Sequence, residues 1–330
     1  MMRKLMPLEY LLLRSFIQSV SKFTFLNMPI KEDTIHGLLA STKALLNKMY
    51  FIEDSFDLGV NNRCIGTCIN YSDLLEMQDE FIEELVATVL RYVYSKRKQN
   101  QMKAHLINNE ERDEDNAFSI LQARAKSKFR KADVKGQISE LLIYNLLQHH
   151  FKAVPILRKM PLTTNPELER NGADAIHLGV EGGKVKIYIG ECKTSDRETG
   201  AFNYALTESI KDVILHYKSH RNEMNLYVYE DFIPEELEDF VQKYLNGDIT
   251  DVQVNLVCMV SYGNKDTITG NSREEKLEDT IEKVRNAVRS INRDILHKKI
   301  DSALKPRIHV LIFPINEMNS LLEKFSKKIG

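Results

Sequence analysis

Four cysteines are all that the 330 residues hold, and only Cys64 and Cys68 lie close together. No further Cys or His pair follows them at metal spacing. That argues against a structural zinc site and leaves inert thiols in a reducing compartment. No run approaches the ~18 apolar residues of a membrane span. The start, MMRKLMPLEYLLLRSF, resembles a signal peptide, but Glu9 and Arg14 cut its apolar run and no small-residue cleavage site follows. A cytoplasmic location is expected. Neither sign of charge is in excess, since 46 Lys and Arg stand against 47 Asp and Glu. Any nucleic-acid binding must therefore come from local patches. Internal repeats and low-complexity tracts are also missing.

What is present is an ordinary globular composition, 43% hydrophobic and 28% charged. The length suits one large domain or two modest ones. Residues 1–112 read as a mostly helical N-terminal region. KEDTIHGLLASTKALLNKMYF has Asp33 or Thr34 as an N-cap before an apolar stripe at helical spacing. YSDLLEMQDEFIEELVATVLRYVYSKRKQ reads as a long helix, and NNRCIGTCINY between them as a short strand or a loop. None of this carries recognisable chemistry; packing or partner docking is the expected role.

A polar run, INNEERDEDNAF, separates this region from residues 113–330. LQARAKSKFRKADVKGQ then holds Arg124, Lys126, Lys128, Arg130, Lys131 and Lys135 against one acid, Asp133. It is either a contact strip for phosphates or a solvated helix face. Beyond it, helices and strands alternate around a small mixed sheet, with a long charged helix from Glu274 to Ile300 near the end.

The chemistry gathers in NGADAIHLGVEGGKVKIYIGECKTS. Gly182 and Gly183 supply a hairpin turn, so the start of one strand lies beside the end of the next. Asp174 is thereby brought next to Glu191. Side chains alternate along a strand, so Glu191 and Lys193 share one face and Cys192 takes the other, with its backbone carbonyl near the carboxylates. Asp174, Glu191 and that carbonyl form an all-oxygen set suited to Mg²⁺ or Mn²⁺. Lys193 can hold a water or offset charge growing on a phosphate, so the set suits phosphodiester hydrolysis. On the helix DVKGQISELLIYNLLQHHF, Glu140 shares a stripe with Gly136, Ile143, Tyr144 and Leu147. A glutamate there is either a third metal or water ligand or a rim residue. His149 and His150 read as C-capping imidazoliums, His177 as a surface or strand-edge histidine, and Glu208 as a support for Lys193 or a solvated residue.

A helix glutamate, an aspartate heading one strand and Glu-x-Lys ending the next resemble the PD-(D/E)xK, or restriction-endonuclease-like, nuclease superfamily over about residues 114–330. Gly172-Ala173-Asp174 stands in place of its proline-aspartate. More narrowly, KGQISELLIYNLL, GADAIHL and IYIGECKTS are similar to the DUF1837-type nuclease subunits of the Hachiman anti-phage defence system. The resemblance implies an α/β fold, with a restriction-endonuclease-like mixed sheet flanked by helices. It implies metal-dependent DNA cleavage, held in check by a superfamily 2 helicase and released on sensing phage or damaged DNA. Catalytic roles fall to Glu140, Asp174, Glu191 and Lys193, and residues 1–112 become a candidate helicase-docking surface. Two readings stay open beside this one: a non-catalytic DNA- or helicase-binding subunit, and a ribonuclease on the same fold.

Overall fold

The computed structural model describes residues 30–52, 56–59, 63–129, 134–157, 172–227, 233–298 and 300–330. The signal-like start, Arg130, Lys131 and residues 158–171 lie outside the described residues. The first elements are α1 (Glu32–Leu38), α2 (Lys43–Leu46), β1 (Met49–Ile52), β2 (Arg63–Ile69), β3 (Tyr71–Ser72) and β4 (Leu75–Glu76). Five helices follow: α3 (Gln78–Ala87), α4 (Val89–Val93), α5 (Lys96–Asn109), α6 (Glu114–Lys126) and α7 (Val134–His150). Next come β5 (Val154–Leu157), β6 (Ala175–Glu181), β7 (Lys184–Ser195), α8 (Ala201–Tyr227), α9 (Glu235–Asn246) and β8 (Val252–Asn264). The chain closes with α10 (Arg273–Arg289), α11 (Arg293–Lys298), β9 (Ile308–Asn316) and α12 (Met318–Ile329).

One mixed sheet organises the molecule, in the order β1-β2-β9-β8-β7-β6-β5. Its middle pairs, β2 with β9, β9 with β8 and β8 with β7, are parallel. The flanking pairs are antiparallel. The expected α/β architecture, a mixed sheet between helices, is found. β8 reads VQVNLVCMVSYGN, nearly continuous in apolar residues, as a strand covered on both faces must be. Its side chains divide by parity. Leu256, Cys258 and Val260 pack with α8, α9 and α10, whereas Val257 and Met259 pack with α3, α7 and α12. β7 divides likewise, with Ile187 and Ile189 on the first face and Tyr188 and Cys192 on the second. The turn between β6 and β7 places Gly182 at φ 59 and Gly183 at φ 76, two successive left-handed residues that suit a tight hairpin.

Of the two readings of NNRCIGTCINY, the strand holds: its core, β2, pairs with β1 and, across more than 240 residues, with β9, where Arg63 faces His309. Several other sequence expectations change. Residues before 113 thus build two strands of the main sheet, and the expected boundary falls between α5 and α6. The charged helix from Glu274 to Ile300 is two helices, α10 and α11, broken near Ser290, whose N–H closes the last turn on Asn286. α9 is an addition, bounded by Pro234 and by Gly247 at φ 85. His149 and His150 lie against Phe51, with ring centroids 5.7 and 5.1 Å away, and burial lowers the pKa of both, which works against the charge a cap needs. His177 is fully buried, with Nδ1 3.0 Å from the Ala153 carbonyl, because β6 is covered by α7 and β5.

Burial, then His149 and Arg63, pushes His150 down to about 3. Burial, then Lys186 and Arg63, pushes His309 down to about 4. The unfolded chain therefore takes up these protons first, near the ordinary histidine value of about 6.5. Each neutral histidine contributes stability that is present above that pH and lost as the pH falls, by up to about 1.4 kcal/mol per pH unit. The denaturation midpoint should fall between pH 7.5 and 5.5, and fall less in His309→Leu. Equal falls in the two proteins would exclude His309 from the effect.

Candidate active site

β6 stops before β7 does. Their last pair is Ala175 with Gly190, and β7 then runs from Glu191 to Ser195 beside β8 alone. Asp174 stands where the ladder ends. Its N–H donates to the Gly190 carbonyl at 3.0 Å, and its Oδ2 accepts the Cys192 N–H at 2.9 Å. A side-chain oxygen thus takes the place of the next backbone acceptor. Within a strand a residue's N–H and C=O leave toward the same edge, so the Cys192 carbonyl also faces the open edge beside Asp174.

Glu191 and Lys193 follow Ile187 and Ile189 toward α8. Lys193 Nζ lies 2.9 Å from Glu191 Oε1 and 2.9 Å from Asp212 Oδ2. Burial works against its charge, but hydrogen bonds and attraction from Glu191 and then Asp212 prevail and hold its pKa above the ordinary lysine range. Glu191 is 4% exposed, and its other oxygen is 3.5 Å from His216 Nε2. His216 Nδ1 lies 2.9 Å from Glu223 Oε1, and Glu223 Oε2 accepts the Ala173 N–H at 2.9 Å. Burial raises the Glu223 pKa, yet hydrogen bonds from His216, Ser219 and Ala173 bring it down to about 2. Ser209 Oγ donates to the Glu191 carbonyl at 3.0 Å.

Glu140 comes from the opposite face. α7 can pack close to β7 because Gly190 has no side chain; a Cβ there would meet Ile143 Cδ1 at 2.8 Å. Glu140, one turn before Tyr144, accepts the Tyr92 hydroxyl at 3.1 Å. Cys192 Sγ donates to Asp174 Oδ2 at 3.0 Å. Burial raises this thiol's pKa first, and Asp174, Glu140 and Glu191 raise it further. Tyr92 is raised by burial and then by Glu140 and Asp174. The fields of three carboxylates therefore meet around Cys192.

The donor types suit a hard divalent cation: the oxygens are carboxylates and a strand-edge carbonyl, and neighbouring like charges favour a neutralising ion. Glu140, Asp174 and Glu191 would hold it, with Cys192 contributing its carbonyl, because its thiol stays protonated. Among the described residues no three His, Cys, Asp or Glu side chains are grouped so as to hold a metal ion by themselves.

The four residues expected at the centre, Glu140, Asp174, Glu191 and Lys193, thus lie about one stretch of β7. The basic strip is placed in part. Arg124 and Lys126 end α6, and Lys126 Nζ donates to the Lys328 carbonyl at 2.8 Å, so that amine ties down α12. Lys128 follows the helix, and the Lys135 carbonyl accepts from Thr194 Oγ1 at 3.4 Å, beside the end of β7. Glu208 does not reach Lys193; it pairs with Lys211 at 3.0 Å. Asp212, one turn later, takes that position. Tyr92, Asp212, His216 and Glu223 were not singled out from the sequence. A signal existed on α8: Ser209, Asp212, His216, Ser219 and Glu223 recur at alternating steps of three and four, a polar stripe on one helix face.

No helix among the described residues is long and apolar enough to cross a membrane. No curated protein matches the chain. The HamA family model matches residues 45–329, most of the chain, so the protein belongs to the HamA family and is a subunit of the Hachiman antiviral defence system.

Proposed function

We propose that the chain is the metal-dependent DNA endonuclease subunit of its defence complex, with a PD-(D/E)xK site, and that a partner helicase holds and licenses it. The observation that carries this reading is the open edge of β7, where Asp174 replaces the missing strand and Glu191 and Lys193 share one face. Mg²⁺, or Mn²⁺ in its place, would be held by Asp174, Glu191, Glu140 and the Cys192 carbonyl. When bound it supplies Lewis acidity toward a phosphate and lowers the pKa of a coordinated water. Lys193, charged and fixed by two carboxylates, offsets charge on the phosphate oxygens. Asp212 keeps that ammonium in place. Arg124, Lys128 and Lys135 favour an approach of the DNA backbone from the α6–α7 side. The nearly balanced net charge of −1 favours DNA delivery by a partner over tight binding by the isolated chain.

The test is cleavage of plasmid DNA by the chain together with its helicase, in Mg²⁺ and ATP. EDTA should stop cleavage and added Mg²⁺ should restore it, while Glu191→Gln should cleave at least about 100-fold more slowly and still bind the helicase. Full cleavage by Glu191→Gln would remove the proposed site. One observation favours a second reading, a non-catalytic binding subunit: Glu191 and Lys193 already have protein partners in His216 and Asp212. Metal-independent defence with Glu191→Gln fully active in cells would select it.

A further inference from the structure

We propose that Glu223, acting through His216, is a positioning residue that sets the spacing of Asp174 and Glu191 for the divalent cation; this rests on the nuclease reading above. The two carboxylates stand just past the last pair of a ladder. The β6–β7 pairing ends at Ala175 and Gly190, with Asp174 and Glu191 one residue beyond it. Two connections span that edge. One is direct, from the Asp174 N–H to the Gly190 carbonyl and from the Cys192 N–H and Sγ to Asp174 Oδ2. The other runs through α8, and Glu223 is its centre.

Each oxygen of Glu223 serves a different side of the site. Oε2 takes the N–H of Ala173, the residue next to Asp174, at 2.9 Å. Oε1 takes His216 Nδ1 at 2.9 Å and the Ser219 hydroxyl, and the far side of the His216 ring stands 3.5 Å from Glu191 Oε2. The path from Asp174 through Ala173, Glu223 and His216 to Glu191 closes a ring around the site. Ala173 is fully buried, so its N–H depends on this acceptor. The segment enters Ala173 from Gly172 at φ 111, a conformation that glycine tolerates, which leaves the Glu223 bond as the described side-chain anchor of the entry. The length of α8 has a purpose in this arrangement. Asp212 meets Lys193 and Glu223 meets Ala173, positions about 16 Å apart along the helix axis at 1.5 Å per residue. One rigid helix thereby holds the lysine, one carboxylate directly and the other carboxylate's strand.

Groups that orient metal ligands typically change metal affinity about 10- to 100-fold when removed. Mn²⁺ binding to the full-length chain, followed by electron paramagnetic resonance, reads this without any cleavage. Wild type should bind Mn²⁺, Glu223→Ala should bind about 10- to 100-fold more weakly, and Glu223→Gln, which keeps an acceptor for Ala173, should recover part of the loss. The Mg²⁺ concentration for half-maximal cleavage by the complex should rise by the same factor as the Mn²⁺ dissociation constant. Thermal melts report whether each variant is folded. If Glu223→Ala does not fold, His216→Ala decides, with a loss of about tenfold expected, because it breaks the link to Glu191 and leaves the Ala173 bond in place. A folded Glu223→Ala or His216→Ala with wild-type Mn²⁺ affinity overturns the positioning role alone. A wild-type chain that binds no Mn²⁺ overturns the cation site itself, and the positioning role with it.

Discussion

Lys193→Ala is expected to reduce DNA cleavage by the assembled complex at least about 100-fold, the scale seen when a preorganised group that stabilises developing charge is removed. The ammonium does not move freely; Glu191 Oε1 and Asp212 Oδ2 each hold it at 2.9 Å. A group fixed in this way needs no reorganisation when charge develops on a phosphate. The variant also leaves Glu191, 4% exposed, with one cationic neighbour fewer. A stability loss of about 1–3 kcal/mol should accompany the loss of activity. Lys193→Arg separates the two effects. It keeps the charge and should melt near wild type. It should still cleave at least about tenfold more slowly, because a planar guanidinium cannot stand in for a compact ammonium at one point. Binding to the helicase, measured by co-purification, should persist in both variants. Wild-type cleavage by Lys193→Ala would take Lys193 out of the chemistry.

Gly190→Val is the second large effect, and it acts through packing. The Gly190 Cβ position is 2.8 Å from Ile143 Cδ1, 3.2 Å from Ala175 Cβ and 3.5 Å from Leu147 Cδ1. Ile143 and Leu147 belong to α7, which is buried on nearly all sides between the sheet and the helices α3, α4 and α12, so it has little room to retreat. Inserting a branched side chain should cost about 1–3 kcal/mol by overpacking. It should also lift α7, and Glu140 with it, away from Asp174. Urea denaturation should show a lower midpoint, and Mn²⁺ affinity should fall in the protein that remains folded. An unchanged midpoint would mean that α7 does not rely on the absence of a side chain at 190.

The parts of the site that the sequence revealed share a local cause. Gly182 and Gly183 close a hairpin, and a hairpin fixes register, so Asp174 beside Glu191 followed from counting residues. The period of two along β7 separated Glu191 and Lys193 from Cys192. Glu140 was visible as an acid on an apolar stripe. The features that escaped notice depend on distant partners. β2 was open between a strand and a loop, and its place in the sheet comes from β9, at the other end of the chain. His150 reads as a charged helix cap and His177 as a surface or strand-edge residue until Phe51 and Tyr144 cover them. The stripe from Ser209 to Glu223 was regular enough to find, but a polar helix face reads as solvated until something is packed on it.

The sequence by itself determined the hairpin, the side of the strand each catalytic candidate takes, and the alternation of helices and strands, because these follow from local geometry and a short register. Only the tertiary structure decided that α8 lies over the tail of β7, where Asp212 holds Lys193 and Glu223 spans the two strands, and that β1 and β2 complete the same sheet. Those choices depend on which buried faces fit one another across the whole chain, and no local period encodes that fit.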